Sequence, residues 1–162
     1  IPLFARTNGL VPVGVPLLPS GDLDAEAMLA TGARILYLCT PNNPTGTAHS
    51  REAVARVLRE APGVVILDEA YGEFADEVFT ADAVRYPHVF ATRTLSKSFG
   101  LAGLRIGFGV GAPALITEVT KARGPYKVNS FAEMAATAAL THDLAWMAGI
   151  AAEVQGLRTR FS

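Results

Sequence analysis

Short apolar runs separated by polar, turn-rich segments recur along the chain: Val11 to Leu17, Arg34 to Cys39, Val64 to Leu67, His88 to Thr92 and Leu104 to Val110. They are rich in Val, Ile, Leu, Phe and Tyr and are bounded by turn residues, the pattern of buried strands. Between them the period changes. Ser50 is placed to cap a helix in which Val54, Val57, Leu58 and Ala61 share one face, while Arg51, Glu52, Arg56, Arg59 and Glu60 stay outside. Pro62-Gly63 stops it. Pro113 sits where a first helical turn tolerates proline, ahead of Leu115, Ile116 and Val119 on one side. Phe131 to Leu140 is alanine-rich and reads as a close-packing helix. From Asp143 the apolar positions Leu144, Met147, Ala151, Val154, Leu157 and Phe161 keep helical spacing to the end of the sequence. Strands alternating with helices predict βαβ units and a largely parallel sheet covered on both faces. Ligands of such sheets collect at the carboxyl ends of the strands.

Composition narrows the class. Half of the 162 residues are hydrophobic and 18% are charged, which supplies a core and excludes intrinsic disorder. The 14 Lys and Arg against 15 Asp and Glu, scattered along the chain, leave a net charge of -1. That is no electrostatic footprint for nucleic acid or an anionic membrane, and neither is expected as a partner. No run of about 18 apolar residues and no basic segment leading into an apolar one argue against a membrane span or a signal peptide, so a cytoplasmic protein is expected. The single Cys39 excludes an internal disulfide framework and a multi-cysteine metal site. The chain has no fixed-period repeat and reads as one domain. It opens at Ile1 without an initiator methionine and stops at Ser162 inside a helical pattern, which suggests a piece of a larger protein.

The chemistry lies in three loops that follow strands. Thr40-Pro41-Asn42-Asn43-Pro44-Thr45-Gly46 follows the second apolar run, Asp68-Glu69-Ala70-Tyr71 the third, and Thr94-Leu95-Ser96-Lys97-Ser98-Phe99-Gly100 the fourth. All three would open on one edge of a parallel sheet, bringing together an amide, a carboxylate, a phenol, two hydroxyls and a lysine, with Arg105 close behind. Lysine, hydroxyls and arginine alone could bind phosphate. The added carboxylate and phenol point to a ligand with an anionic end and a basic ring. Pyridoxal 5'-phosphate has both: its aldehyde takes a lysine as Schiff-base partner, and its pyridine nitrogen needs an acid partner to stay protonated. One opposite charge at about 4 Å is worth about 4 kcal/mol at an effective dielectric near 20, roughly three pKa units. A single aspartate therefore suffices to hold the ring cationic.

Pro41-Asn42-Asn43-Pro44-Thr45-Gly46, Asp68-Glu69-Ala70-Tyr71 and the stretch from Ser96 to Gly107 resemble the three signatures of the class I/II aminotransferases, pyridoxal-phosphate enzymes of fold type I. The segment Thr94 to Arg105 is most similar to the histidinol-phosphate branch. The resemblance covers essentially the whole chain but only the middle of the family's, which is more than twice as long. It implies a three-layer α/β/α, mostly parallel sheet, here incomplete at both ends. Residues 1–162 would form the central part of the cofactor-binding large domain, with 143–162 starting the long helix toward a small domain. It further implies that Leu104 to Val110 is the one antiparallel strand. The family's first strand, beside it, would lie upstream of Ile1, and the second, likewise absent here, would sit between the Val11 to Leu17 and Arg34 to Cys39 strands.

The resemblance also assigns roles. Lys97 would bond the cofactor and shuttle a proton to and from the substrate Cα; a loop lysine is otherwise simply solvated. Asp68 would pair with the ring nitrogen, against a turn or cap role. Tyr71 and Asn43 would hydrogen-bond the ring's 3'-oxygen, against plain turn residues. Arg105, Ser96 and Thr94 would hold the phosphate, the arginine by a charge-assisted fork; either hydroxyl could instead cap local backbone. Glu69 would support its motif structurally, and Cys39 and Trp146 would pack. His49, His88 and His142 are not at metal-ligand spacing, and no metal site is expected. Gly100, Gly103, Gly107 and Gly109 read as turn and close-approach positions, since no Gly-x-Gly-x-x-Gly follows a strand and opens a helix.

The implied activity is amino transfer from histidinol phosphate to 2-oxoglutarate, in a homodimer whose remaining ligands lie outside this sequence. Aromatic amino acid aminotransferases and threonine-phosphate decarboxylases share these motifs and stay open as alternatives. So does a non-catalytic remnant serving as an interaction domain, although retention of Lys97, Asp68, Tyr71, Asn43 and Arg105 argues against it.

Overall fold

The computed structural model describes residues 1–161; Ser162 and the side chains of Thr159 and Phe161 lie outside the described residues, and so does the last apolar position of the C-terminal stripe. In chain order the elements are helices α1 (Pro2–Thr7) and α2 (Ala25–Ala30), strand β1 (Ile35–Cys39), helix α3 (Arg51–Glu60) and strand β2 (Val64–Asp68). A 3-10 turn (Gly72–Phe74), helix α4 (Thr80–Ala83) and strand β3 (Val89–Thr94) follow. A second 3-10 turn (Ala102–Leu104), strand β4 (Gly107–Gly111) and helices α5 (Pro113–Lys121), α6 (Ser130–His142) and α7 (Leu144–Phe161) complete the chain.

The strands form one sheet in the order β1-β2-β3-β4. The first three are parallel, with Cys39 beside Asp68 and Asp68 beside Thr92. β4 runs antiparallel to β3, from Phe90 opposite Gly111 to Thr94 opposite Gly107. This is the expected α/β fold with an open, mostly parallel sheet, and the antiparallel strand is the one anticipated.

Strand alternation decides what each face does. Leu36, Leu38, Val65, Leu67, Val89 and Ala91 point to one side, where they bury against Leu23 and Ala25, against Val54, Val57 and Leu58 of α3, and against Phe79 and Ala83 around α4. Each Val, Leu or Phe among them contributes about 1.5–3 kcal/mol on burial, so this layer is a main source of stability. α3 presents its stripe as its period predicts, and Ser50 Oγ caps it by accepting from the Ala53 N–H at 3.3 Å. A smaller cluster of Leu95, Phe99, Ala136 and Ala139, flanked by Leu101, Ile106 and Met147, ties the segment after β3 to α6 and α7.

On the opposite face Tyr37, Cys39, Ile66, Asp68 and Phe90 are half-buried, while Ile35 on the edge strand β1 is exposed. The glycines of β4 follow from this face. A Cβ on Gly109 would lie 2.3 Å from Cζ of Phe90, so only glycine lets that ring lie across the strand.

One expected element is missing. Val11 to Leu17 forms no strand; Val11 and Val13 are exposed and Leu17 is half-buried. Pro12 and Pro16 remove two of the segment's amide donors, which handicaps any ladder it could join. Among the described residues no helix is long and apolar enough to cross a membrane.

Candidate active site

The carboxyl ends of β1, β2 and β3 lie side by side, and backbone bonds carry the alignment past the strands: Thr40 N donates to Asp68 O at 2.9 Å, and Glu69 N to Thr92 O at 3.0 Å. The three loops therefore leave the same edge of the sheet, as expected.

The first loop folds on itself. Asn42 N donates to Thr47 O at 2.8 Å, Gly46 N to Asn42 O at 2.7 Å, and Asn42 Nδ2 to Thr45 Oγ1 at 2.8 Å. Gly46 takes the left-handed conformation, with φ 72°, that closes the turn. Asn42 is thereby consumed locally, and Asn43 is left to project outward. Its Nδ2 reaches the hydroxyl of Tyr71 on the second loop at 3.3 Å.

The second loop is anchored from below. Glu69 is completely buried, accepts from Phe79 N at 2.5 Å and from Thr80 Oγ1, and lies 3.7 Å from Arg93 Nη1. Arg93 also bonds Glu73 through Nη2 at 2.6 Å and Thr80 through Nη1 at 2.9 Å. This cluster fixes both ends of the segment that carries Tyr71, so Glu69 has the supporting place expected of it. Asp68, one residue earlier, points to the other face. Its Oδ1 accepts from Ala70 N at 3.0 Å and its Oδ2 from the Tyr37 hydroxyl at 2.5 Å. Burial first, then the bond to Asp68 and its charge, push the Tyr37 phenol far above its ordinary range.

The third loop brings Lys97 over Tyr71, with Nζ 5.2 Å from the ring centroid, a cation–π arrangement. Asn43, Tyr71 and Lys97 line one cavity of about 510 Å³, together with Pro44, Phe74 and Val154 of α7. That volume suits a small organic ligand. Gln155 of α7 donates to Phe74 O at 3.0 Å, which holds the helix against the 3-10 turn.

Asp68, Thr94, Ser96 and Arg105 are not among the residues lining this cavity. The Thr94 hydroxyl accepts from Ser96 N at 3.1 Å and reaches Ile106 O at 3.4 Å, so it caps local backbone. Arg105 is exposed in the left-handed region, φ 54°, and donates through Nη1 to Ala102 O at 3.0 Å. Left-handed backbone at a residue with a Cβ is costly and concentrates at functional sites.

The residue set fits pyridoxal 5'-phosphate by the chemistry of its groups. A primary amine stands over a phenol, an amide touches that phenol, and the loop that bears the phenol starts at a strand-end carboxylate with lone pairs to spare. Tyr37 and Arg93 were not singled out from the sequence, although strand parity carries the signal. Tyr37 shares the face of Asp68, and Arg93 follows Val89 and Ala91 onto the face of Glu69.

A model of the family aminotransferase class I and II matches residues 2–162. The chain is 44% identical over 147 residues to histidinol-phosphate aminotransferase 2 of Ralstonia nicotianae, covering 86% of this chain and 39% of that protein. It is 42% identical over 149 residues to an aromatic amino acid aminotransferase of Corynebacterium efficiens, covering 86% and 44%. Among solved structures, histidinol-phosphate aminotransferase from Sinorhizobium meliloti in complex with pyridoxal-5'-phosphate superposes with a TM-score of 0.89 at 28% identity, covering 98% of this chain and 45% of that one. The chain thus spans less than half the length of these relatives.

Proposed function

Because the chain belongs to the aminotransferase class I and II family, we propose that it is the cofactor-binding centre of a pyridoxal-phosphate-dependent aminotransferase that moves the amino group of histidinol phosphate to 2-oxoglutarate. The observation that carries the reading is the meeting of Asn43, Tyr71 and Lys97 at one cavity. The higher-identity relative of Ralstonia nicotianae supports histidinol phosphate as donor. The Corynebacterium efficiens relative supports aromatic amino acids as the second reading. On either reading the whole protein works in histidine or aromatic amino acid metabolism, in the cytoplasm and as a homodimer.

When bound, the cofactor supplies an electron sink for charge developing at the substrate Cα. The protein's residues do the rest. Asp68 would hold the ring nitrogen by charge and hydrogen bond and keep a proton there. Tyr71 and Asn43, already bonded to each other, would donate to the ring oxygen. Lys97 Nζ would bond the cofactor through its aldehyde and, once displaced by substrate, would carry a proton to and from the substrate Cα. Thr94, Ser96 and Arg105 bind the phosphate in this reading. For Thr94 that requires its hydroxyl to exchange a backbone partner for a phosphate oxygen.

The test is a set of single-turnover half-reactions on the full-length protein with histidinol phosphate, phenylalanine and threonine phosphate. Bleaching of the cofactor's visible absorbance by histidinol phosphate at the lowest concentration is expected. Bleaching by phenylalanine with no response to histidinol phosphate would overturn the donor and favour the second reading.

A further inference from the structure

We propose that Tyr37 is a positioning residue for cofactor binding: its phenol fixes the plane of the Asp68 carboxylate so that a lone pair faces the cofactor's ring nitrogen. The inference rests on the cofactor reading above.

The geometry begins with register. Tyr37 pairs with Ile66 across β1 and β2, and Cys39 with Asp68, so Tyr37 lies one diagonal step from Asp68 on the same face. A tyrosine ring is long enough to span such a diagonal, and its hydroxyl reaches Asp68 Oδ2 at 2.5 Å. The other oxygen, Oδ1, accepts from Ala70 N at 3.0 Å. An aspartate's outer torsion is broad, so the carboxylate plane has to be set from outside. Two donors on two oxygens set it. One donor is backbone and belongs to the turn itself; the other is Tyr37.

The arrangement is compatible with ligand binding. A carboxylate has about four acceptor positions, and the two protein donors leave the remainder for a ring N–H. The phenol keeps its proton for donation, because burial and the neighbouring charge raise its pKa far above the ordinary value. A hydrogen bond to a charged group is among the stronger ones, and its geometric effect acts where the ligand's own charge is held.

The test compares wild type and Tyr37→Phe in the full-length apo-protein, titrated with pyridoxal 5'-phosphate and with its 1-deaza analogue, in which a CH replaces the ring nitrogen. The substitution keeps the ring and its packing and removes only the hydroxyl. Kd for pyridoxal 5'-phosphate is expected to rise about tenfold in Tyr37→Phe, and Kd for the analogue, which has no nitrogen for Asp68 to hold, to change less than about twofold. An unchanged Kd for pyridoxal 5'-phosphate overturns the assignment. Equal losses for both ligands, or a variant that no longer folds, make Tyr37 a general structural residue and overturn it too. Wild-type protein that binds neither ligand refutes the cofactor reading itself, and this inference with it.

Discussion

Glu69→Gln tests the claim that a buried carboxylate, and not the loop's own turn geometry, holds the segment bearing Tyr71. Glu69 is completely buried, accepts from Phe79 N and Thr80 Oγ1, and faces Arg93 at 3.7 Å. Glutamine keeps the shape and one acceptor oxygen, so one of the two hydrogen bonds survives. The other oxygen becomes an NH2 group that confronts a donor, and among the described residues Arg93 keeps Glu73 as its anionic partner. A lost hydrogen bond to a charged group is worth about 1.5–3 kcal/mol, and breaking a buried pair from one side about 3–5 kcal/mol. Since Arg93 retains Glu73, the hydrogen-bond figure governs, and about 1.5–3 kcal/mol of destabilisation is expected. Equilibrium urea denaturation measures it: the midpoint falls while the slope m stays constant. The same variant should bind pyridoxal 5'-phosphate more weakly, because Tyr71 is carried by the released segment. A variant within about 0.5 kcal/mol of wild type, the range of an ordinary surface change, would refute the reasoning.

Lys97 is exposed, so Lys97→Ala should abolish the visible absorbance of lysine-bound cofactor while shifting stability by no more than about 0.5 kcal/mol; retained absorbance would exclude it as the bonding amine. Gly109→Ala drives a Cβ to 2.3 Å from the Phe90 ring and should destabilise by about 1–3 kcal/mol, as overpacking does, with Phe90→Ala in the same chain relieving the clash; an unaltered urea midpoint would contradict it. Buried His49 has its pKa lowered by desolvation against the opposing pull of Asp22, so the unfolded chain binds the extra proton more readily. Its contribution to stability is complete above the unfolded value near 6.5 and is lost as pH falls from there through the lower folded value. His49→Gln should flatten that part of the melting-temperature profile, and identical profiles would remove His49 as its source.

Much of this site was legible in order and spacing because parallel strands deliver their following loops to one edge. That rule alone brought Asn43, Tyr71 and Lys97 together, and periodicity placed the stripe of Val54, Val57 and Leu58. Less legible were features that depend on partners distant in sequence. Val11 to Leu17 has the apolar content of a strand, but a strand exists only by its ladder, and two prolines in the segment weaken any claim to one. Thr94 is a hydroxyl beside a lysine motif, yet its nearest partners are the amide of Ser96 and the carbonyl of Ile106, which only the antiparallel return of β4 supplies. Charge inside a strand was the overlooked signal at Arg93. An arginine that shares strand parity with Val89 and Ala91 is destined for the buried side and requires an acid there.

The two adjacent acids at the end of β2 show how one backbone period divides fold from chemistry. Asp68 and Glu69 differ by one residue and so emerge on opposite faces of the sheet. On the core side Glu69 meets buried donors and an arginine, so its charge is consumed in holding the Tyr71 segment. On the other side Asp68 meets a phenol and a single amide, which orient the carboxylate without exhausting it. A one-residue slip of β2 against β1 and β3 would exchange these environments. Asp68 would face Arg93 in the core, and Glu69, longer by a methylene, would face Tyr37 and the cofactor. The register set by Val65 and Leu67 packing on α3 is therefore also what keeps the ring-binding acid available. Core substitutions at these two valine and leucine positions should accordingly lower cofactor affinity together with stability, although neither side chain lines the cavity.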